Sequence, residues 1–550
     1  MEPQRCTERK CFKDSVGTGR FKDSVLTMPC PRLATHDASR PRRPARTEHG
    51  GTACGARHGD ITSPCFSLRP SRLRGSVSRT FRFTDLAHGT TIPGFSASGR
   101  SRAGEHLAQP SDTRYLVAPG GTLRGRLRVP GDKSISHRSI MLAAIAEGET
   151  RISGFLEGAD AMATLTAFRR MGVRIEGPDA GEVRVQGVGM RGLQAPDGTL
   201  DMGNSGTSMR LLAGLLAGQS FPVTLVGDAS LSKRPMRRVT EPLAQMGARI
   251  GTTEGGTAPL DLTPVARLTG LDYVMPVASA QVKSSLLLAG LYAEGETCVT
   301  EPAPTRDHTE RMLTAFGYSV RRQASKVCLT GGGRLTGCRL KIPADISSAA
   351  FFLVGASIAP GSDLILEGVG INPTRVGVIN ILRAMGGDIE LMDRRTAGGE
   401  PVADIRVRHA RLRGIRIPVD QVPLAIDELP VLFIAAACAE GETILTGAEE
   451  LRVKESDRIQ VMADGLAKLG VCAEPLPDGM RIFGGALGST GDADAIDAHA
   501  DHRIAMSFAI AALRASGPIA IRDCANVETS FPGFVELAGA AGLSIQATRG

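Results

Sequence analysis

Residues 131–139 read Gly-Asp-Lys-Ser-Ile-Ser-His-Arg-Ser, which sets Lys133, His137 and Arg138 just ahead of an apolar run, 140–146. A helix start offers unpaired N–H groups and the positive end of a dipole. With cations added, it becomes a site for phosphate or carboxylate. The same residues also fit a capped helix with a solvated basic face, Asp132, Ser134 or Ser136 being the cap. Further stretches repeat the combination. Residues 203–210 (Gly-Asn-Ser-Gly-Thr-Ser-Met-Arg) form a glycine-rich turn in which Gly206 lets a ligand approach the backbone. Residues 231–238 (Leu-Ser-Lys-Arg-Pro-Met-Arg-Arg) form a basic loop. Ser279, Gln281 and Lys283 open an apolar run, and Arg306, Asp307, His308 and Glu310 follow it. Residues 452–458 carry five charges, with Lys454 and Arg458 four apart, on one face if the stretch is helical. Asp427-Glu428 and Asp501-His502-Arg503 open two more runs. Lys and Arg in excess over a few carboxylates suit a substrate with two or more anionic groups and general acid–base chemistry. No Gly-x-Ser-x-Gly elbow, P-loop lysine motif or metal-ligand spacing occurs.

The elements that must position these residues recur. Six times a polar start leads into a small-residue apolar helix, then Gly or Pro, then a short alternating strand. The pattern predicts helices over 132–145, 204–216, 279–291, 345–358, 427–438 and 501–513, with starts about 66–82 residues apart. Between them lies a second helix that stops at a glycine: Gly172, Gly247, Gly317, Gly386, Gly470 and Gly542. A period this long implies one packed module used repeatedly. The inner helices are apolar all round, so they belong in the interior. Six modules divide into two domains of three, each large enough for its own core. Six polar helix starts facing one cleft would make it attract anions.

The chain has 550 residues, of which 42% are hydrophobic and only 4% aromatic, with no Trp, so its cores are aliphatic. No apolar run reaches the roughly 18–20 residues that span a bilayer. Residues 1–115 hold 20 Lys and Arg against 10 Asp and Glu, and the rest is slightly acidic. The basic charge therefore says nothing of what the main body binds. This first segment is rich in Arg, Pro, Ser and Gly and lacks a sustained apolar period, so it is expected to be disordered. An organelle transit peptide, a basic nucleic-acid-binding arm, and a leader or upstream sequence from a misplaced start codon are the competing readings. Five of the 11 Cys lie there. The other six are scattered, which predicts reduced, structural cysteines in a cytoplasmic protein.

Taken together, 131–139, 203–210, 279–283, 306–310, 372–375 (Asn-Pro-Thr-Arg), 452–458 and 501–503 resemble the motifs of the 5-enolpyruvylshikimate-3-phosphate synthases. They do so in order, from about residue 116 to 550. Ser-Ala-Gln-x-Lys, Arg-x-His-x-Glu and Asn-x-x-Arg look like the second bacterial class. The resemblance implies an α/β (α+β) fold, a two-domain inside-out α/β barrel, each domain three βαβαββ repeats around buried helices. The expected domains are 116–131 plus 344–550, and 132–343, with crossovers near Gly131 and Pro343. The implied reaction moves the enolpyruvyl group of phosphoenolpyruvate to the 5-hydroxyl of shikimate 3-phosphate and releases phosphate. It needs no metal or organic cofactor, and a monomer without nucleic-acid or membrane partners is expected.

By motif, the resemblance assigns Lys133 to both substrates. Ser134, Arg138, Ser279, Ala280, Gln281, Arg306, Asp427 and Lys454 fall to shikimate 3-phosphate. Gly206, Arg234, Gln281, Arg458 and Arg503 fall to phosphoenolpyruvate. Asp427 is the implied base for the 5-hydroxyl, and Glu455 the implied proton carrier at the methylene carbon. Gly206 is small where glyphosate-tolerant members often carry Ala, which implies sensitivity to that inhibitor. Some members carry a Lys where this chain reads Val-Glu-Thr-Ser-Phe-Pro over 527–532. The rival with the same fold is the UDP-N-acetylglucosamine enolpyruvyl transferase. That family uses a Cys in the loop that here spans 228–238 and has none.

Overall fold

The computed structural model describes residues 113–549. The basic leader, and the nucleic-acid reading that rests on it, lie outside the described residues up to 112. Regular structure begins slightly earlier than the expected 116. Thr113–Val117 is a strand, because Tyr115 pairs with Ile521 and Ala547 and buries its ring near Phe534.

Six inner helices alternate with six outer ones. The inner helices are α1 (Lys133–Ala144), α3 (Gly206–Ala217), α5 (Ala280–Gly290), α7 (Ile346–Ile358), α10 (Leu429–Ala437) and α12 (His502–Ala511). The outer helices are α2 (Ala159–Arg170), α4 (Arg237–Gln245), α6 (His308–Ala315), α8 (Gly377–Ala384), α11 (Arg458–Lys468) and α13 (Phe534–Ala541). A short α9 (Val422–Ala425) precedes α10. Side-chain caps start five of the inner helices: Asp132, Ser205, Ser279, Asp345 and Asp501 each accept an N–H of the first turn. Every residue of α7 and α10 is buried, as helices without a polar stripe require. The outer helices stop where a left-handed residue is needed, as at Gly172 (φ +86°) and Gly470 (φ +76°).

The modules add small sheets, mixed in most of them and antiparallel in the one built from Glu442–Leu445, Gly479–Phe483 and Ala473–Leu476. The strand Asp363–Gly370 runs parallel to Arg124–Leu127 and antiparallel to Glu400–Arg408, which pairs in turn with Asp388–Ala397. Ring closure shows in the pairing of Arg339–Lys341 with Glu147–Ser153, which joins the end of the third module to the first. Two hydrophobic cores result. One draws on residues from Ile135 to Ile342, the other on Tyr115–Val129 and on residues from Ala344 to Leu543. We call these the N-lobe and the C-lobe. The chain passes between them at two adjacent points, where Gly131 bridges Ala344 and Asp132 N donates to Pro343 O.

Two local expectations change. Lys454 and Arg458 do not share a helix: Lys454 ends a 3-10 turn (Glu449–Val453), and Asp457 caps α11 by accepting Gln460 N. The cysteines are not all reduced, since Cys298 and Cys328 form a disulfide. They stand directly opposite in an antiparallel ladder, a register that their 30-residue separation does not announce. Among the described residues no helix is long and apolar enough to cross a membrane.

Candidate active site

The polar starts of the inner helices meet between the lobes. Asp427 lies in the turn between α9 and α10; the helix expected to start there begins two residues later, at Leu429. Arg306 of the N-lobe pairs with its Oδ2. Lys454 Nζ and Arg458 Nη1 approach its Oδ1 at 3.7 and 3.5 Å, and Arg503 Nη1 donates to its carbonyl at 2.7 Å. Burial would raise the Asp427 carboxyl. The cations Arg306, Lys454, Arg503 and Arg458 outweigh it and hold the group well below the usual carboxylate range.

Glu455 bridges the lobes beside it. It accepts from Arg458 Nη2 at 2.6 Å and from Arg234 Nη1 at 3.3 Å. Burial is again overcome, by Arg458 and Arg234 first, and its carboxyl is depressed. Arg458 also reaches the Asp501 cap at 2.8 Å, so α11 and α12 are tied at their starts. Arg234 is oriented by Asn204 Oδ1 at 2.6 Å. A Cβ on Gly206 would stand 3.4 Å from Arg234 Nη1 and 2.9 Å from Arg210 Nη1. Gln281 links α5 to α3, accepting from Arg210 Nη1 at 2.7 Å and donating to Thr207 Oγ1 at 3.0 Å. Lys133 pairs with Asp160, and Arg306 Nη1 reaches Ser134 Oγ at 3.4 Å.

Lys133, Ser134, Gly206, Arg234, Gln281, Arg306, Asp427, Lys454, Glu455, Arg458 and Arg503 therefore belong to one connected cluster. Ser279 and Ala280 flank Gln281 at the start of α5, where Ser279 Oγ accepts Val282 N. Arg138 lies a layer deeper. It is 3% exposed, and its guanidinium donates to Thr309 Oγ1, Ser284 Oγ and the Ser134 carbonyl. Burial lowers it to about 10.

Sequence reasoning gave no site role to four members of the cluster. Arg210, Asn204 and Asp501 sat inside stretches already marked for their helix starts. Asp160 gave no signal, because only the fold brings α2 to Lys133. A carboxylate and imidazole group, Asp307, His308 and Glu400, has ligand atoms close enough for a metal ion. Asn372 Nδ2 donates to Asp307 and Glu400, and Arg311 and Arg322 pair with Asp307, so protein cations and donors already balance these oxygens.

Two histidines in the cluster are buried neutral. Burial, then Lys133 and Arg503, push His502 down to about 3. Burial, Lys133 and Arg138 push His137 well down, and it bonds Thr164 Oγ1 at 2.8 Å. Below a pH of about 6.5 the unfolded chain takes up protons that these folded histidines refuse. Stability should therefore fall as pH drops from 6.5 toward 5, by about 1.4 kcal/mol per unit for each group. The depressed carboxylates Asp427 and Glu455 act only below a pH of about 4, outside this window. Urea unfolding at pH 7 and 5 reads the effect, and equal stability at both would refute it.

The comparisons with known proteins follow this geometry. The family model for EPSP synthase (3-phosphoshikimate 1-carboxyvinyltransferase) matches residues 117–537. The 3-phosphoshikimate 1-carboxyvinyltransferase of Alkalilimnicola ehrlichii is 70% identical over 436 residues, 79% of this chain and 97% of that protein. That of Methylococcus capsulatus is 67% identical over 435 residues, 79% and 99% of the two chains. A solved EPSP synthase from Acinetobacter baumannii superposes with a TM-score of 0.73 at 58% identity, covering 80% of this chain and all of that one. The enolpyruvyl transferase NikO from Streptomyces tendae, at 17% identity and a TM-score of 0.64, shares the fold. The chain belongs to the EPSP synthase (3-phosphoshikimate 1-carboxyvinyltransferase) family.

Proposed function

We propose that the chain transfers the enolpyruvyl group of phosphoenolpyruvate to the 5-hydroxyl of shikimate 3-phosphate and releases phosphate. The observation that carries this reading is the gathering of Arg234, Arg306, Lys454, Arg458 and Arg503 about two carboxylates, Asp427 and Glu455, between the lobes, with Lys133, held by Asp160, next to Ser134, which Arg306 reaches. Two anionic substrates held side by side need several fixed cations, and the attacking hydroxyl needs a base. Lys133, Ser134, Ser279, Ala280, Gln281, Arg306 and Lys454 hold shikimate 3-phosphate, with Arg138 fixing Ser134 from below. Lys133, Gly206, Arg234, Gln281, Arg458 and Arg503 hold phosphoenolpyruvate.

Asp427 takes the 5-hydroxyl proton. Paired with Arg306 and Lys454 it is a weak base. A substrate phosphate that recruits those two cations raises it toward the range an acid–base catalyst needs. Phosphoenolpyruvate that draws Arg234 and Arg458 away from Glu455 raises that carboxyl, which then takes up a proton from solvent and delivers it to the methylene carbon, making C2 of the enol electrophilic toward the 5-oxygen. Loss of phosphate, with a methyl proton returned to the Glu455 carboxylate, then restores the double bond. The lobes are 132–343 and 116–131 plus 344–550, hinged at the paired crossovers, and closure removes water from around the reacting atoms. The enzyme acts as a monomer in the cytoplasm.

Phosphate release measured with both substrates tests the reaction, and its absence would overturn the reading. Gly206→Ala tests the phosphoenolpyruvate subsite. Its added Cβ pushes on Arg210 and touches Arg234. The KM for phosphoenolpyruvate should rise about 10-fold, a loss of about 1.4 kcal/mol of binding, with kcat little changed. Glyphosate should inhibit the parent at micromolar concentration and this variant far less. An unchanged KM, or a parent that needs millimolar inhibitor, would remove Gly206 from the subsite.

A further inference from the structure

The segment Asn372-Pro373-Thr374-Arg375 links the strand Asp363–Gly370 to α8. Its arginine is 3% exposed and sits where the two chain crossovers and three inner helices come together. Arg375 Nη1 lies 3.4 Å from Asp132, the cap of α1. Its Nη2 lies 3.4 Å from Asp345, the cap of α7, and 3.5 Å from Glu428 at the start of α10. The same nitrogen donates to Ser347 Oγ at 2.5 Å, and that hydroxyl in turn bonds Glu428. Asp345 also accepts Lys133 N at 3.1 Å, so one carboxylate caps a C-lobe helix and holds the first N-lobe one.

Two of these carboxylates are chain neighbours of residues at the reacting centre. Asp132 directly precedes Lys133, and Glu428 directly follows Asp427. We propose that Arg375 is the positioning residue for Lys133 and Asp427, a buried guanidinium that sets their separation by holding the carboxylate next to each. This rests on the reading of Lys133 and Asp427 given above. The planar fork suits the task, since its two ends reach different helices at once, which a lysine point charge cannot do. Stability alone does not explain it. Replacing buried ion clusters with apolar side chains is often neutral or stabilising, so four charged groups buried at one junction point to geometry. Asn372 anchors the segment: its amide donates to Asp307 of the N-lobe at 2.7 Å and to Glu400 of the C-lobe at 2.8 Å.

The test compares the parent with Arg375→Ala, Arg375→Lys and Phe352→Leu, the last a core substitution on α7 that leaves all of these charged groups in place. Two readouts are taken. The first is amide exchange at Ile135 and Ser347, whose N–H groups bond Asp132 and Asp345. It should quicken in Arg375→Ala in both lobes and stay at the parent rate in Phe352→Leu. The second is turnover. In Arg375→Ala kcat should fall about 100-fold, the scale of an ångström-sized misplacement, with partial recovery on adding guanidinium ion. Phe352→Leu should keep its kcat under conditions where it is folded. If Arg375→Ala does not fold, Arg375→Lys retains the charge without the fork and should show the same directions. Parent-like exchange at Ile135 and Ser347 in the arginine variants would overturn the proposal whatever the turnover. Parent-like kcat in them, with an active parent, would do the same while leaving the reaction itself intact.

Discussion

Asp427→Asn should lower kcat by about a thousandfold, in the middle of the range that a positioned base contributes. The KM for shikimate 3-phosphate should stay level or fall. Arg306, Lys454, Arg458 and Arg503 all crowd this one carboxylate, and removing its charge frees them for an anionic substrate. A loss confined to kcat separates a base from a mere binding group, because removing a binding contact raises KM instead. Steady-state phosphate release at varied shikimate 3-phosphate decides it. Turnover within a few-fold of the parent would strip Asp427 of the role, and Glu455 would be the next carboxylate to test.

The second large effect is on stability. Lys283 is wholly buried, with Glu301 and Glu310 on its ammonium, the latter at 2.7 Å. It stands on α5 two residues after Gln281. Lys283→Met should destabilise the chain by about 3–5 kcal/mol, since two carboxylates are left buried without their cation. Adding Glu301→Gln and Glu310→Gln to the same chain should recover much of that loss, because the unpaired charges disappear with their partner. Urea unfolding of the parent, the single and the triple variant measures both steps. A single variant within about 1 kcal/mol of the parent would show that the triad is not an energetic unit.

Much of this architecture was legible before any coordinates. The inner helices could be read because Asp132, Ser279, Asp345 and Asp501 cap apolar runs, and local capping survives whatever the tertiary context. The outer helix ends could be read because glycine tolerates the left-handed turn at which they stop. What the pattern left open was decided by single residues and by packing. Lys454 and Arg458 have helical spacing, yet Asp457 caps a new helix between them, and the two cations reach Asp427 from different elements. Asp160 was invisible because its helix resembles every other outer helix. Its pairing with Lys133 exists only once α1 and α2 are packed. The Cys298–Cys328 bond depends on strand register, which no spacing of cysteines reveals. Arg138 illustrates the opposite limit: its motif position was plain, but its depth below Ser134 was not.

The pairing of Thr113–Val117 with both Ile519–Arg522 and Ile545–Arg549 has a temporal side. During translation the first strand emerges long before its neighbours, and at ribosomal speed the delay is on the order of tens of seconds. The intervening N-lobe has its whole core within 135–342 and can fold in that interval. The first described strand can thus be completed only after the N-lobe has had time to form, and it waits as an unmatched β-edge until the last part of the chain is made.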